Sequence, residues 1–81
     1  MGFDIRTVTL STLAGSKVVT YPGTFGVNIK QVSREGLVYD IRKVIIGTPI
    51  NRQCCIKFAG RVFEFANEFA AGETVTIKWI V

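Results

Sequence analysis

The residues that decide the fold are Gly60-Arg-Val-Phe-Glu-Phe-Ala-Asn-Glu-Phe-Ala-Ala-Gly-Glu-Thr-Val-Thr-Ile-Lys-Trp-Ile-Val81, which include three of the six Phe residues and the only Trp. In the second half of this stretch, one set of alternating positions is apolar: Val75, Ile77, Trp79 and Val81. The positions between them are largely polar: Thr74, Thr76 and Lys78. This two-residue period predicts a strand with one buried face. The whole stretch predicts two strands joined by a Gly-Glu turn.

The aromatic residues of this stretch predict much of the core, which we expect to contain Phe63, Phe65, Phe69, Val75, Ile77 and Trp79. Residues 62–71 also fit a short helix, because apolar residues recur at i, i+4, i+7 and i+8 and Gly72 could cap it. We favour a strand followed by a loop whose Phe69 fills the core. The helix stays open as an alternative.

The rest of the chain alternates short apolar segments with turn residues. Strands are predicted over 3–10, 17–21, 24–32, 37–46, 54–59, 61–65 and 74–81. Turns are predicted at Pro22-Gly23, at 33–36 and at Ala59-Gly60, and the last two favour antiparallel hairpins. About seven short strands at this spacing indicate an all-β fold, a small antiparallel β-sandwich or barrel. We expect a single β domain over residues 1–81.

Composition favours assembly. The chain has 81 residues, 48% of them hydrophobic, with a mean hydropathy of +0.35 and a net charge of +4. A monomer this small has difficulty burying so much apolar surface, so a homo-oligomer is expected. Apolar runs are too short for a transmembrane helix or a signal peptide. Since the two adjacent cysteines of the chain favour free thiols, we expect synthesis in a reducing cytoplasm.

Catalytic chemistry is poorly represented in the sequence. Histidine is absent, and the only cysteines, Cys54 and Cys55, are adjacent. Neighbouring strand residues point to opposite faces, so we expect two free, redox-silent thiols. Glu64 and Glu68 are interpreted as surface charges rather than a catalytic pair. No catalytic residue, metal ligand or cofactor-binding residue is predicted, and the protein is not expected to be an enzyme.

A basic segment supplies a possible interaction surface, made of Arg42, Lys43, Arg52, Lys57 and Arg61. Tyr39, Phe58 and Phe63 lie within or beside it, and basic residues with interleaved aromatics are typical of oligonucleotide-binding barrels. The two Phe residues flank the predicted 59–60 hairpin and are expected to pack inward. A solvated basic face is therefore favoured over a nucleic-acid groove.

One part of the sequence resembles a known group of proteins. Phe65-Ala-Asn-Glu-Phe69, followed by Ala71-Gly-Glu-Thr-Val-Thr-Ile-Lys-Trp79, is similar to the closing strands of small β-sandwich modules in phage virion proteins, such as capsid decoration and tail-fibre domains, and in some carbohydrate-binding modules. The resemblance covers about a fifth of the chain. It implies a non-catalytic structural module that assembles with other structural proteins on a larger particle. The alternative is a binding module for nucleic acid or glycan, with Tyr21 and Tyr39 as sugar platforms.

Overall fold

The computed structural model describes residues 4–23, 29–43, 47–58 and 60–80. It contains seven strands: β1 (Ile5–Ser11), β2 (Val18–Thr20), β3 (Ile29–Arg34), β4 (Leu37–Lys43), β5 (Gln53–Lys57), β6 (Val62–Phe65) and β7 (Thr74–Ile80). No helix occurs in these four segments. The predicted all-β class is confirmed. The parts of predicted strands at 3, 24–28, 44–46, 59 and 81 lie outside the described residues, and with 59 the first residue of the predicted Ala59-Gly60 turn.

The seven strands form one nearly closed, barrel-like sheet in the order β1-β7-β3-β4-β5-β6-β2. Five of the six neighbouring pairs are antiparallel, and β4–β5 is parallel. The sheet departs from the predicted antiparallel arrangement at this pair. A parallel neighbour requires a connection that returns the chain to the opposite end of the sheet, and the segment between Lys43 and Gln53 makes this return. The short strand β2 and the longer β1 are the two edges.

The predicted hairpin at 33–36 is confirmed, with a tighter turn than expected. Strand β3 extends through Arg34, which pairs with Leu37 at the start of β4. The two residues between them, Glu35 and Gly36, have φ values of 49° and 82°. A two-residue loop with positive φ at both positions matches the right-handed twist of the strands it joins.

The two strands within 60–81 do not pair with each other. This corrects the prediction that a Gly-Glu turn joins them directly. Strand β6 pairs with β5 and β2, whereas β7 pairs with β1 and β3. The connection over 66–73 links these two parts of the sheet. It contains no helix, and Phe69 within it is only 2% exposed. The favoured interpretation of 62–71, a strand followed by a loop with a core aromatic, therefore matches the structure.

The main buried cluster lies inside the sheet and consists of Val19, Ile29, Val32, Cys54, Ile56, Phe63, Phe65, Phe69, Val75 and Ile77. Five of the six residues predicted for the core belong to it. The sixth, Trp79, is half-buried and packs against the cluster. Trp79 lies one residue from the end of β7, where the sheet ends and fewer neighbours cover a side chain.

Candidate interaction surfaces

The pairing pattern places particular residues at each end of the sheet. The first residues of β1, β3 and β6 lie at the same end as the last residues of β2, β4, β5 and β7. The turns and connections 12–17, 35–36 and 66–73 lie at the opposite end. Residues far apart in sequence are therefore brought to a common end by strand direction.

Most of the positive charge lies at the first of these ends. Seven of the ten Lys and Arg residues occupy it or the adjoining strand positions: Arg6, Lys30, Arg42, Lys43, Lys57, Arg61 and Lys78. Of the six acidic residues, Asp4 lies here. We call this the basic end.

The charges at the opposite end cancel. Its basic residues are Lys17, Arg34 and Arg52, and its acidic residues are Glu35, Glu68 and Glu73. We call this the neutral end. The remaining two acidic residues, Asp40 and Glu64, lie within strands β4 and β6. The net charge of +4 is thus a property of one end of the molecule rather than of the whole surface.

The structure divides the interaction surface predicted from the sequence. Arg42, Lys43, Lys57 and Arg61 lie at the basic end, whereas Arg52 precedes β5 at the neutral end. Arg6, Lys30 and Lys78 join the basic end from other strands and were missed by the sequence analysis. The sequence shows no cluster around them, because the strand order, and not their spacing, brings them together.

Two of the predicted interaction residues have structural partners. The Nζ of Lys57 lies 2.7 Å from the Oε1 of Glu64, and both side chains are largely buried. The Arg52 guanidinium lies 5.5 Å from the centre of the Tyr39 ring and donates a hydrogen bond of 3.1 Å to the carbonyl of Val38. The charge of Lys57 is neutralised by Glu64, and Arg52 contacts the backbone and the Tyr39 side chain near the start of β4.

Large apolar side chains are exposed mainly on the neutral half. Leu13 is 76% exposed, Leu37 52%, Val38 51% and Val18 39%. Ile50, close to the start of β5, is 64% exposed. Leu37 lies on the same face of β4 as Tyr39 and Ile41, which are half-buried. It stays exposed because β5 begins opposite Asp40, so the first residues of β4 lack a neighbour on that side.

At the basic end, the turn between β5 and β6 carries Phe58, whose side chain is 69% exposed. The prediction that Phe58 packs inward is wrong. Its φ is 54°, so the chain reverses at this residue and does not continue the alternation of β5. Phe63, on the other side of the turn, is fully buried as expected. An aromatic residue with a backbone in the left-handed region is uncommon.

A buried ion pair lies at the neutral end and was missed by the sequence analysis, which placed Arg34 in a loop. The side chain of Arg34 is 8% exposed, and its Nη2 lies 2.8 Å from the Oε1 of Glu73. The guanidinium also donates to the carbonyls of Asn67 and Glu68, at 2.8 and 2.7 Å, and lies 4.5 Å from the centre of the Phe69 ring. The hydrogen bonds of Glu73 with Arg34 and with the Ala70 amide lower the pKa of its carboxyl.

The cysteines are free and fully buried. Cys54 belongs to the core cluster, whereas Cys55 pairs with Glu64 across β6 and lies outside the cluster. Burial, together with the neighbouring Cys55 and Glu64, raises the pKa of the Cys54 thiol to about 12. A buried, protonated thiol is a poor nucleophile. Glu68 is exposed and Glu64 is engaged with Lys57, and no group of three or more Cys, Asp or Glu side chains that could hold a metal ion occurs among the residues described.

The tyrosines differ from exposed sugar platforms. Tyr39 is half-buried, with its ring edge-on to Phe65 at 5.2 Å between centres and with Arg52 over its face. Tyr21 is half-buried and packs against the core cluster. Stacking on a sugar requires an open aromatic face, so neither ring favours the glycan alternative.

Comparison with models of protein families, with curated proteins and with solved structures gave no match. No helix that could cross a membrane is found in the segments that the structure describes. The features of this protein that bear on its function are the charges and exposed side chains at the two ends of the sheet.

Proposed function

We propose that this protein is a non-enzymatic structural module that assembles with copies of itself through its neutral end. The observation that carries the proposal is the set of exposed apolar side chains at that end: Leu13 and Val18 near the β2 edge, and Leu37 and Val38 at the start of β4. Exposed apolar side chains concentrated at one end of a small domain favour a protein contact there. Burying them in an interface removes apolar area from water, which is the main driving force of association.

The charge distribution favours the same end. Two copies that met through their basic ends would bring most of their positive charges together, and like-charge repulsion would oppose that contact. At the neutral end, Glu35, Glu68 and Glu73 balance the three basic residues. A contact between neutral ends therefore buries apolar area while the basic ends stay apart and hydrated.

The resemblance of 65–79 to phage virion modules supports a setting for this assembly. We place the module on a larger particle such as a phage capsid or tail, where a small β-domain acts as a decoration or tail component. The proposal predicts that the protein co-sediments with such particles. A protein that stays in the supernatant with intact and with stripped particles would contradict the virion setting without affecting self-association.

Sedimentation velocity over a micromolar concentration range tests self-association. We expect the wild-type mass to rise with concentration and Leu37→Glu to lower the association, because it places a charge in the apolar contact. Ile5→Glu is the matched control, since Ile5 is 67% exposed but lies at the basic end. A monomer mass at every concentration, or association lost in Ile5→Glu and kept in Leu37→Glu, would overturn the proposal.

A further inference from the structure

Five neighbouring strands and one turn each bring a basic residue to the same end. Following the strand order, these are Arg6 on β1, Lys78 on β7, Lys30 on β3, Arg42 and Lys43 on β4, Lys57 on β5, and Arg61 in the turn before β6. Neighbouring strands lie roughly 4.8 Å apart, so these residues form an arc of roughly 24 Å around the barrel end. From β1 to β4 the arc is continuous because every strand contributes a basic residue, whereas the basic residue of β5, Lys57, is paired with Glu64.

Most of these charges are available to a ligand. The side chains of Arg6, Lys30, Arg42, Arg61 and Lys78 are exposed. Lys57 is set aside because it is paired with Glu64, and two further acidic residues, Asp4 and Asp40, each lie two residues from a residue of the arc. Several unbalanced cations along an arc attract a polymer with regularly spaced negative charges.

An exposed aromatic ring stands beside this arc. Phe58 begins the turn between β5 and β6, three residues before Arg61, whose amide donates a 3.1 Å hydrogen bond to the carbonyl of Lys57. The turn therefore holds the Phe58 and Arg61 backbones close together. The positive φ of Phe58 turns a large apolar ring toward solvent at a hairpin tip, where it gains little from burial. A ring presented in this way offers its face to another planar group.

We propose that the basic end binds single-stranded nucleic acid, with the exposed Arg and Lys side chains on the phosphates and Phe58 stacked on a base. Single strands fit better than a duplex because their bases are free to stack on a protein ring. In a single strand every phosphate is accompanied by a base, so a stacking partner for Phe58 always lies close to the negative charges, which an acidic protein surface does not guarantee. This inference goes beyond the proposed assembly function and uses the opposite end of the sheet.

Fluorescence anisotropy with a labelled oligothymidine of about 12 nucleotides tests the inference, since small barrels bind about 4–16 nucleotides. We expect binding that weakens with salt, with a slope of log K against log salt of about −2 to −3 for three or four phosphate contacts. Arg61→Glu should weaken binding and flatten that slope. Lys17→Glu is the matched control, because it changes the net charge equally at the neutral end and Lys17 is also exposed.

Phe58→Ala separates base stacking from charge attraction. Loss of one stacked base should weaken binding about 5- to 100-fold at constant salt. Ile50→Ala, which removes a similarly exposed apolar side chain that is not part of the proposed self-association contact, should bind like the wild type. Circular dichroism confirms that each variant is folded before its binding is compared.

Three results would overturn the inference. Equal loss of binding in Arg61→Glu and Lys17→Glu would show that net charge alone is responsible. Unchanged binding by Phe58→Ala would remove the stacking contact, and equally tight binding of duplex DNA or polyglutamate would remove the preference for single strands. Sedimentation of Arg61→Glu keeps the two proposals separate, because its self-association should equal that of the wild type whether or not it binds nucleic acid.

Discussion

Arg34 and Glu73, which are 39 residues apart in sequence, form an ion pair with 2.8 Å between Nη2 and Oε1. The pair joins the end of β3 to the connection that leads into β7. The same guanidinium donates hydrogen bonds to the carbonyls of Asn67 and Glu68. One side chain therefore contacts the 66–73 connection at three residues. This arrangement keeps Phe69, at 2% exposure, inserted in the core.

Replacing Arg34 should destabilise the fold strongly. Arg34→Met preserves much of the side-chain volume but leaves Glu73 and two carbonyls without their donor. Unsatisfied acceptors of this kind are costly, so we expect a clear loss in the free energy of unfolding measured by urea denaturation. Arg61→Met, at an exposed position, should change the free energy by at most about 0.5 kcal/mol. Equal midpoints for the two variants would contradict a structural role for the pair.

Glu73 should make the protein sensitive to acid. Its pKa is lower in the folded state than the ordinary value of 4.5 for a glutamate, mainly through the hydrogen bond from Arg34. The folded protein therefore holds the carboxylate unprotonated where the unfolded chain takes up a proton. The stabilisation is present above about pH 4.5 and is lost as the pH falls through the folded-state pKa.

Urea denaturation between pH 7 and pH 3 measures this linkage. Glu73→Gln should be less stable than the wild type at pH 7 and should lose less stability on acidification. Glu68→Gln, at an exposed carboxyl in the same connection, should follow the wild-type pH dependence. A Glu73→Gln profile parallel to that of the wild type would assign the acid sensitivity to other carboxyls.

The centre of the core should tolerate truncation less well than the end of β7. Phe65 is 1% exposed and contacts the Tyr39 and Phe69 rings edge-on, so Phe65→Ala should cost about 3–5 kcal/mol. Trp79→Ala should cost less because Trp79 is half-buried, and Lys78→Ala should cost at most about 0.5 kcal/mol. Thermal unfolding of the three variants checks the order. A lower melting temperature for Trp79→Ala than for Phe65→Ala would contradict it.

The two cysteines should be inert in the native protein. Both are fully buried, and the raised pKa of Cys54, about 12, keeps its thiol protonated at neutral pH. An aromatic disulfide reagent at pH 8 should label neither cysteine until urea unfolds the chain, whereas an exposed cysteine introduced by Thr9→Cys should react at once. Rapid labelling of the native wild type, or an intact mass two hydrogens short, would contradict this prediction.

Alkaline pH should weaken the fold through the same thiol. The unfolded chain releases the Cys54 proton near pH 9.0, the ordinary value for a thiol, whereas the folded protein keeps the proton until about pH 12. Stability should therefore decline as the pH rises between these values. Cys54→Ala should show a smaller decline in urea denaturation between pH 8 and pH 10.5, and an unchanged decline would assign the effect to other groups.

The sequence by itself determined the strands and the buried face of several of them. Val75 and Ile77 alternate with Thr74 and Thr76, and a two-residue period can satisfy a buried face only as a strand. The Glu35-Gly36 turn was also accessible, because a short loop between two such segments joins antiparallel neighbours. These features depend on residues that are close together in the chain.

Only the tertiary structure decided which strands are neighbours, and with them both candidate surfaces. The parallel pairing of β4 with β5 and the separation of β6 from β7 depend on long connections, whose paths the local pattern does not specify. Strand order brings Arg6, Lys30 and Lys78 to the end that holds Arg61, and it brings Arg34 to Glu73. Charges and exposed apolar groups are distributed by these long-range pairings, because a side chain's neighbours across a sheet are set by topology and register rather than by sequence distance.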